Sequence, residues 1–281
     1  MKLVQKIAVS YVQNKFRLLS SISAKTTAQQ AFRLFCTPQR RNRGALPAVF
    51  DQAEKLHFKF HEYHIVGYRW NKDAGRRALI IHGFESSVIN FAQYVQPLLD
   101  KGYEVLAFDA PAHGRSSGKE VNALLYSQLI TYVNEHYGPV QSFMAHSLGG
   151  LSLCLALAEL KPGSDCRVAL IAPATETATA IDHFFRFIRL NNPAVRQEFE
   201  NLITKLGGQP VAWFSIGRTL EHITCPVLWI HDEEDRITPL ADTASIRERG
   251  LPNLRFVVTK GLGHSRIYKD AAIRQQVTDF L

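Results

Sequence analysis

Cysteines are few in this 281-residue sequence, and none is arranged as a metal site or a disulfide framework. They are scattered along the chain without a CxxC pair, at Cys36, Cys154, Cys166 and Cys225. We interpret them as buried thiols in a reducing compartment. Phosphate loops of the G-x-G-x-x-G or G-K-S/T type are also absent, so the sequence predicts neither a metal nor a cofactor.

A long apolar run is missing as well. A membrane-spanning helix needs about 18 or more consecutive apolar residues, and no segment of the chain reaches that length. With 46% hydrophobic and 21% charged residues, the composition is that of an ordinary globular protein. The length suits one large α/β domain with an insertion.

Acidic residues are absent from positions 1–44, which carry nine lysines and arginines. The rest of the chain has 24 basic and 25 acidic residues, so the net charge of +8 resides in this N-terminal arm. A nearly neutral body without a nucleic-acid-binding motif argues against a nucleic-acid partner. Lys6, Lys15 and Arg17 interrupt the arm, which argues against a secretory signal peptide. We expect a cytoplasmic protein, with organelle targeting or peripheral membrane association as alternatives.

The arm itself has the pattern of an amphipathic helix. Apolar residues recur at helical spacing from Leu3 to Leu19, with basic residues largely between them. A second short helix is predicted from Ala28 to Phe35, ending before Pro38, and residues 40–44 form a basic loop. Such an arm suits docking on the body of the protein, which we favour, or lying on an anionic membrane surface.

The remaining chain has the pattern of a mostly parallel sheet. Alternating polar and apolar residues from Leu56 to Trp70 predict antiparallel strands. Continuous apolar runs then alternate with amphipathic helices, which indicates an α/β fold with a parallel central sheet covered on both faces. The runs are Ala78–Ile81, Val105–Phe108, Val140–Met144, Val168–Ile171, Val227–Ile230 and Leu254–Val258.

One interval departs from this rhythm. Residues from Thr175 to about Glu221 are helical and aromatic in pattern, without a clear buried strand. We therefore predict a basic arm at 1–44 and a sheet domain at 45–281, with a helical cap inserted at about 175–221. The large apolar residues of the cap suit either packing of its helices or an apolar substrate pocket.

The segment S-F-M-A-H-S-L-G-G, which contains Ser147, follows one of the apolar runs and precedes a helix-like run. A sharp turn between strand and helix can hold a serine hydroxyl off the sheet, but it needs small residues two positions before and after the serine. Ala145 and Gly149 meet that need. The helix that starts here directs backbone N–H groups toward the place where an oxyanion would form.

With this turn, the chain from about Phe58 to its end resembles the α/β-hydrolase superfamily, and in particular its lipase, esterase and lysophospholipase-like members. The turn is usually G-x-S-x-G there, and Ala145 departs from it as in some bacterial lipases. The resemblance implies that Ser147 is the nucleophile. It also implies that the backbone N–H groups of Phe84, in the H-G-F segment, and of Leu148 form the oxyanion hole.

A further segment, D-A-P-A-H-G-R-S, resembles the D-x-x-x-H-G-x-S loop of the same superfamily. It contains Asp109, His113 and Ser116, and it follows an apolar run. We interpret these three residues as stabilisers of the loop, with contact to a substrate as the alternative.

The general base must titrate near the working pH and be oriented by a third group. Among eleven histidines, His264 lies in G-L-G-H-S after the last apolar run, where the family has its base. The family pattern aligns Asp235 with the catalytic acid and places Asp232 where glycine is usual. The chain order of Ser147, Asp235 and His264 is that of this fold.

Other histidines receive simpler interpretations. On a strand, His57 and His61 would share one face while His64 points the other way, and no cysteine or carboxylate cluster completes the set, so no metal site is expected there. His146 is expected to pack and hydrogen-bond locally beside the nucleophile.

The sequence therefore predicts a serine hydrolase of a carboxylic ester or thioester, acting through an acyl-enzyme on Ser147. We expect a small or medium-sized substrate with an apolar portion. The alternative is a catalytically silent α/β-hydrolase that serves as a binding protein. Amide and C–C bonds stay open as targets, as does the oligomeric state, because the fold alone does not decide them.

Overall fold

The computed structural model describes residues 3–281, and for residues 3–6 it describes the backbone alone. Lys2 of the predicted basic arm lies outside the described residues. The described chain contains a single sheet of eight strands. The strands are β1 (Glu54–Phe60), β2 (Tyr63–Trp70), β3 (Arg76–Ile81), β4 (Tyr103–Phe108), β5 (Ser142–His146), β6 (Arg167–Ile171), β7 (Val227–Asp232) and β8 (Leu254–Thr259).

The α-helices of the described chain lie before, between and after the strands. They are α1 (Leu3–Ile22), α2 (Ala24–Cys36), α3 (Ala92–Asp100), α4 (Ala123–Tyr137), α5 (Leu148–Leu160), α6 (Thr177–Phe187), α7 (Pro193–Gly207), α8 (Ile216–Thr219), α9 (Ala244–Glu248), α10 (Gly263–Arg266) and α11 (Ala271–Phe280). None of the helices found between residues 3 and 281 is both long enough and apolar enough to cross a membrane.

The strands lie in the order β1-β2-β4-β3-β5-β6-β7-β8. The first two are antiparallel to their neighbours, and the strands from β3 to β8 are parallel. Every residue of β4, β5 and β7 is buried, whereas the edge strand β8 is largely half-buried. This confirms the predicted α/β fold, because only strands covered on both faces can consist of continuous apolar runs.

The direction in which the chain crosses the sheet reverses between β3 and β5. β3 lies between β4 and β5, so the connections that leave β3 and β5 run to opposite sides. Ligands of open α/β sheets bind at the carboxyl ends of the strands where such a reversal occurs. In this chain the segments at that point begin with His82, after β3, and Ser147, after β5.

The described chain divides into two compact units. The larger one comprises residues 38–175 and 215–281 and contains the whole sheet. The smaller one joins residues 3–37 of the arm with residues 176–214 of the insertion. The arm and the insertion were expected from the sequence as separate segments, and their grouping into one unit is a tertiary feature.

The smaller unit is held together by aromatic side chains. α2 packs against α7, and the ring of Phe199 on α7 lies 5.5 Å from Phe32 and 5.6 Å from Phe35, in edge-to-face geometry. The rings of Phe35 and Phe184 are 5.3 Å apart. Part of the aromatic set that suggested a substrate pocket therefore forms the core of this unit.

The basic loop of the arm lies in the larger unit. The guanidinium of Arg41 donates to the carbonyls of Ser116 and Gly118, and Arg43 Nε donates to the Gly114 carbonyl at 3.0 Å. Part of the positive charge of the arm thus stabilises the loop that follows β4. Of the other basic residues of the arm that the structure describes, five lie on α1 and α2, and Arg40 lies at the start of this loop.

Candidate active site

Ser147 occupies a sharp turn between β5 and α5, as the sequence predicts. Its backbone has φ 55° and ψ −125°, a region that residues other than glycine rarely occupy because of steric strain. The surrounding backbone holds it there. The Ser147 N–H donates to the Ile171 carbonyl at 3.3 Å, and the Ala174 N–H donates to the Ser147 carbonyl at 3.0 Å.

Small residues around this turn are required by close packing. A Cβ atom on Gly149 would lie 2.4 Å from the His82 carbonyl oxygen, and one on Gly83 would lie 2.8 Å from Ser147 Cβ. Ala145 is fully buried between neighbouring strands. The two segments that follow β3 and β5 therefore approach each other so closely that only glycine fits at the two contact points.

The structure brings Ser147, His264 and Asp235 together. His264 Nε2 lies 3.0 Å from Ser147 Oγ, and His264 Nδ1 lies 2.7 Å from Asp235 Oδ2. Both distances are those of hydrogen bonds. The Asp235 side chain is fully buried, whereas the His264 side chain is 13% exposed. The three residues follow β5, β7 and β8, so the parallel sheet is what places them at one edge.

Asp235 is held as a carboxylate. Its Oδ1 accepts the N–H groups of Ile237 and Thr238 at 2.8 and 3.0 Å. Burial by itself would raise the pKa of Asp235, but the hydrogen bond and charge interaction with His264 and these two N–H groups outweigh it. The pKa of Asp235 therefore lies below its ordinary value, and the group is a permanent anion beside the imidazole.

Asp232 has a different role. Its Oδ2 accepts the Thr259 hydroxyl at 2.7 Å and the Leu262 N–H at 3.0 Å, and its Oδ1 accepts the Glu234 N–H at 3.0 Å. These contacts join the loop after β7 to the segment that leads from β8 to His264. Of the two aspartates, only Asp235 hydrogen-bonds to the imidazole.

Thr238 was not singled out from the sequence, although it contacts the same groups. Its Oγ1 lies 2.9 Å from Asp235 Oδ2, 3.2 Å from His264 Nδ1 and 3.2 Å from the Ala172 carbonyl oxygen. The available signal was its position three residues after Asp235, because an aspartate in a turn often bonds the backbone and side chains that follow it.

His146 contacts the backbone of His264, the candidate base. Its Nε2 is 3.1 Å from the His264 carbonyl oxygen, to which it donates. Burial and the nearby His264 lower the pKa of His146 to about 3. The ring is therefore neutral, and it supports the backbone of His264 without placing a positive charge beside the imidazole. This is the local packing role expected for it.

The candidate oxyanion donors lie in the two segments that meet at Gly83. Phe84 is in the turn after β3, and Leu148 is the first residue of α5, whose N–H has no partner within the helix. His82 secures the first segment, since its Nδ1 donates to the Gly83 carbonyl at 2.8 Å and its Nε2 accepts the Ala110 N–H at 3.0 Å. Burial lowers the pKa of His82 to about 4, so this ring is neutral too.

The loop after β4 is stabilised by hydrogen bonds within it and to the turn after β3. Asp109 accepts the N–H groups of Val88 and Arg115 at 3.0 and 2.9 Å, and the Ser116 hydroxyl donates to the Asp109 carbonyl at 2.6 Å. His113 Nε2 accepts the Glu85 N–H at 3.0 Å, which joins this loop to the turn after β3. These contacts are the stabilising ones expected from the sequence.

The N-terminal histidines differ from expectation in one detail. His61 lies in the turn between β1 and β2 with φ 50°, and not on a strand face with His57. In the described part of the chain, no group of three His, Cys, Asp or Glu side chains is placed to hold a metal ion.

A family model supports what the fold and the site suggest. The model described as "Alpha/beta hydrolase family" matches residues 78–275, which include Ser147, Asp235 and His264. The chain belongs to this family.

Individual relatives are similar to the chain at lower identity. "Uncharacterized protein YqkD" of Bacillus subtilis is 25% identical over 247 residues, which cover 83% of this chain and 81% of that protein. A 2-hydroxy-6-oxononadienedioate/2-hydroxy-6-oxononatrienedioate hydrolase of Cupriavidus pinatubonensis is 26% identical over 237 residues, covering 68% of this chain and 81% of the relative. The solved structure of the Pyrococcus furiosus esterase Pf2001 matches 87% of this chain and 95% of its own, with TM-score 0.65 and 19% identity. This last likeness concerns the fold.

Proposed function

We propose that this protein is a serine hydrolase that cleaves a carboxylic ester or thioester through an acyl-enzyme on Ser147. The observation that carries the proposal is the unbroken series of hydrogen bonds from Ser147 Oγ through His264 to Asp235, at 3.0 and 2.7 Å. A nucleophile in contact with a base, which in turn contacts an orienting carboxylate, is the arrangement that acyl transfer requires.

In the first half-reaction, Ser147 Oγ attacks the carbonyl carbon of the substrate while His264 Nε2 takes up the hydroxyl proton. The negative charge of the tetrahedral intermediate is stabilised by the N–H groups of Phe84 and Leu148. The intermediate collapses when the bond to the alcohol or thiol breaks, and His264 gives its proton to that leaving group. Water then attacks the acyl-enzyme by the same steps and releases the carboxylic acid.

Asp235 contributes by orienting the base. Because it is a buried anion, it accepts the N–H of His264 Nδ1 and leaves Nε2 free to take the serine proton. It also stabilises the imidazolium that exists between the two proton transfers. Its lowered pKa keeps this charge in place at neutral pH.

The substrate is proposed to be small or medium-sized with an apolar portion. Each additional methylene buried in an apolar pocket contributes up to about 0.8 kcal/mol, so kcat/KM should rise from acetate to medium-chain esters. A flat or falling series would indicate a small or polar substrate instead. 2-Hydroxy-6-oxononadienedioate, the compound in the name of the Cupriavidus relative, is the comparison for C–C cleavage.

Labelling with a fluorophosphonate tests the nucleophile directly. Wild-type protein should be labelled, and Ser147→Ala should lose both the label and ester hydrolysis, by about 10⁴-fold or more. Ser152→Ala is the matched control, because Ser152 is a buried serine of α5 whose hydroxyl has no hydrogen-bond partner among the described residues.

Two results would contradict the proposal. Retained labelling in Ser147→Ala would place the nucleophile elsewhere. A wild-type protein that is neither labelled nor active on any ester or thioester of the series would instead support a catalytically silent binding protein.

A further inference from the structure

Exposed large apolar side chains are concentrated in the smaller unit. They include four residues of α1 together with Phe187 at the end of α6 and Leu206 on α7. In the described part of the larger unit, only Ile237 and Val258 belong to this class. Single exposed apolar residues are ordinary, but a contiguous group marks a surface that is covered in the working state.

The four residues of α1 are Ile7, Tyr11, Leu18 and Ile22, and their exposed fractions are 61, 69, 67 and 80%. Successive residues of an α-helix are rotated by about 100°, so the four side chains fall within an arc of about 60° and extend over about 22 Å of helix. We call this row the outer stripe.

The opposite side of α1 is already used for packing. Phe16 is 3% exposed, and Gln13 Nε2 donates to the Phe187 carbonyl at 2.8 Å. The helix therefore has two apolar faces, one turned into the smaller unit and one turned to solvent. Packing within the unit accounts for the first face and leaves the outer stripe unexplained.

Positive charge borders the outer stripe. Lys15 and Arg17 are exposed and project on either side of it, as the helical rotation requires. Elsewhere in the same unit, Arg186 at the end of α6 and Arg189 in the turn that leads to α7 are exposed as well. The acidic residue there, Asp182, is paired with Arg196 at 2.5 Å.

We propose that the outer stripe, with Lys15 and Arg17 on either side of it, binds the surface of a bilayer that contains anionic lipids. An amphipathic helix with aliphatic and aromatic side chains between basic ones is suited to lie in the plane of the membrane interface. The ring of a tyrosine such as Tyr11 can contact the apolar layer while its hydroxyl stays among the polar headgroups. The surface complements anionic headgroups in charge, and each basic residue near such a surface adds to binding. The proposal does not depend on the chemistry at Ser147.

A second copy of the chain is a poorer occupant for the same surface. Two-fold pairing through the outer stripe would bring two basic arms without acidic residues together. Their like charges would repel each other more strongly in the interface, because water that screens them would be removed. A bilayer with anionic lipid instead supplies both the apolar layer and the opposite charge.

Co-sedimentation of the full-length protein with vesicles tests the proposal. We expect binding to phosphatidylcholine vesicles that contain about 30% phosphatidylglycerol, little binding to phosphatidylcholine alone, and a loss of several-fold when the ionic strength is raised. Tyr11→Asp/Leu18→Asp should abolish sedimentation, whereas Val258→Asp, at an exposed position of β8 in the larger unit, should bind as the wild type does.

The contribution of the basic residues to vesicle binding is tested with separate variants. Lys15→Gln/Arg17→Gln should weaken binding several-fold, and Lys55→Gln/Lys72→Gln, which removes two exposed lysines of the larger unit, should not. Circular dichroism confirms folding, and all these variants should hydrolyse a soluble ester at the wild-type rate.

Three results would overturn the proposal. The first is a wild-type protein that does not bind anionic vesicles. The second is equal binding by the wild type and Tyr11→Asp/Leu18→Asp. The third is a wild-type dimer in sedimentation velocity that the same substitutions convert to a monomer without any vesicle binding, which would make the outer stripe an interface between copies.

Discussion

The carboxyl edge of the sheet and the outer face of α1 are built in opposite ways. Around Ser147, the polar side chains are buried or, as for His264, largely buried, and Asp235, His264 and His82 each have hydrogen-bond partners on more than one side. On α1, large apolar side chains are exposed to water. Most buried polar groups are paired, which fixes their positions, whereas exposed apolar groups stay available for another surface.

The largest difference in activity is expected between substitutions of the two aspartates that follow β7. Asp235→Asn should lower kcat/KM by about 10³ to 10⁴-fold, because an amide can hold the imidazole in the wrong tautomer. Asp232→Asn should cost less than about tenfold, because Asp232 bonds only loop groups. Steady-state kinetics on a soluble ester measures both, and equal losses would show that Asp235 is not the orienting acid.

A substitution in the core of the smaller unit should destabilise that unit and leave the sheet around Ser147 folded. Phe199 is fully buried among the rings of α2 and α6, so Phe199→Ala should destabilise by about 3 to 5 kcal/mol. Phe187→Ala, at a ring that is 53% exposed, should stay within about 0.5 kcal/mol. Hydrogen exchange should show lost protection in α2 and α7, with β5 and α5 retained. Loss in β5 as well would mean that the two units unfold as one.

The buried neutral histidines predict a loss of stability in acid. The pKa of His113 is lowered from an ordinary value of 6.5 to about 3, and burial is the main cause. Below about pH 6.5 the unfolded chain therefore takes up a proton that the folded chain refuses, and the free energy of unfolding falls by up to about 1.4 kcal/mol per pH unit for each such histidine.

His113→Asn should reduce that slope between about pH 6 and pH 4.5 by up to about 1.4 kcal/mol per pH unit. The matched control is His57→Asn, at an exposed position of β1. Urea unfolding at a series of pH values measures the slopes. Indistinguishable slopes for the two variants would contradict the assignment of a neutral His113.

The smallest expected effect concerns Thr238, which we regard as a positioning residue. Thr238→Val keeps the shape but removes the hydroxyl that contacts Asp235 and His264, so kcat should fall about tenfold with KM retained. Thr238→Ser should restore the rate. Thr259→Val is the control, because its hydroxyl binds Asp232 at 2.7 Å. A rise in KM with kcat unchanged would indicate a role in binding instead.

Local patterns were sufficient for most of the sheet. The apolar runs predicted β3 to β8 to within two residues at every end, since a strand covered on both faces leaves a continuous apolar signature. The turn at Ser147 was also recognisable locally, because the serine and its small neighbours lie within five consecutive residues, although the contact that requires glycine at position 149 comes from His82, which follows β3. Helix ends were less well predicted: α2 begins at Ala24, where Ser23 accepts the Thr26 N–H, four residues before the expected start.

What the sequence by itself determined is therefore the order of elements, the strained serine turn and the set of residue types able to carry acyl transfer. The resemblance aligned Asp235, and not Asp232, with the catalytic acid, and the structure places Asp235 against the imidazole. Only the tertiary structure decided that Thr238 joins Asp235 and His264, and that α2 of the arm packs against α7. These contacts depend on which surfaces the fold brings together. The outer stripe has the same origin, because an amphipathic pattern indicates an apolar face but not what covers it.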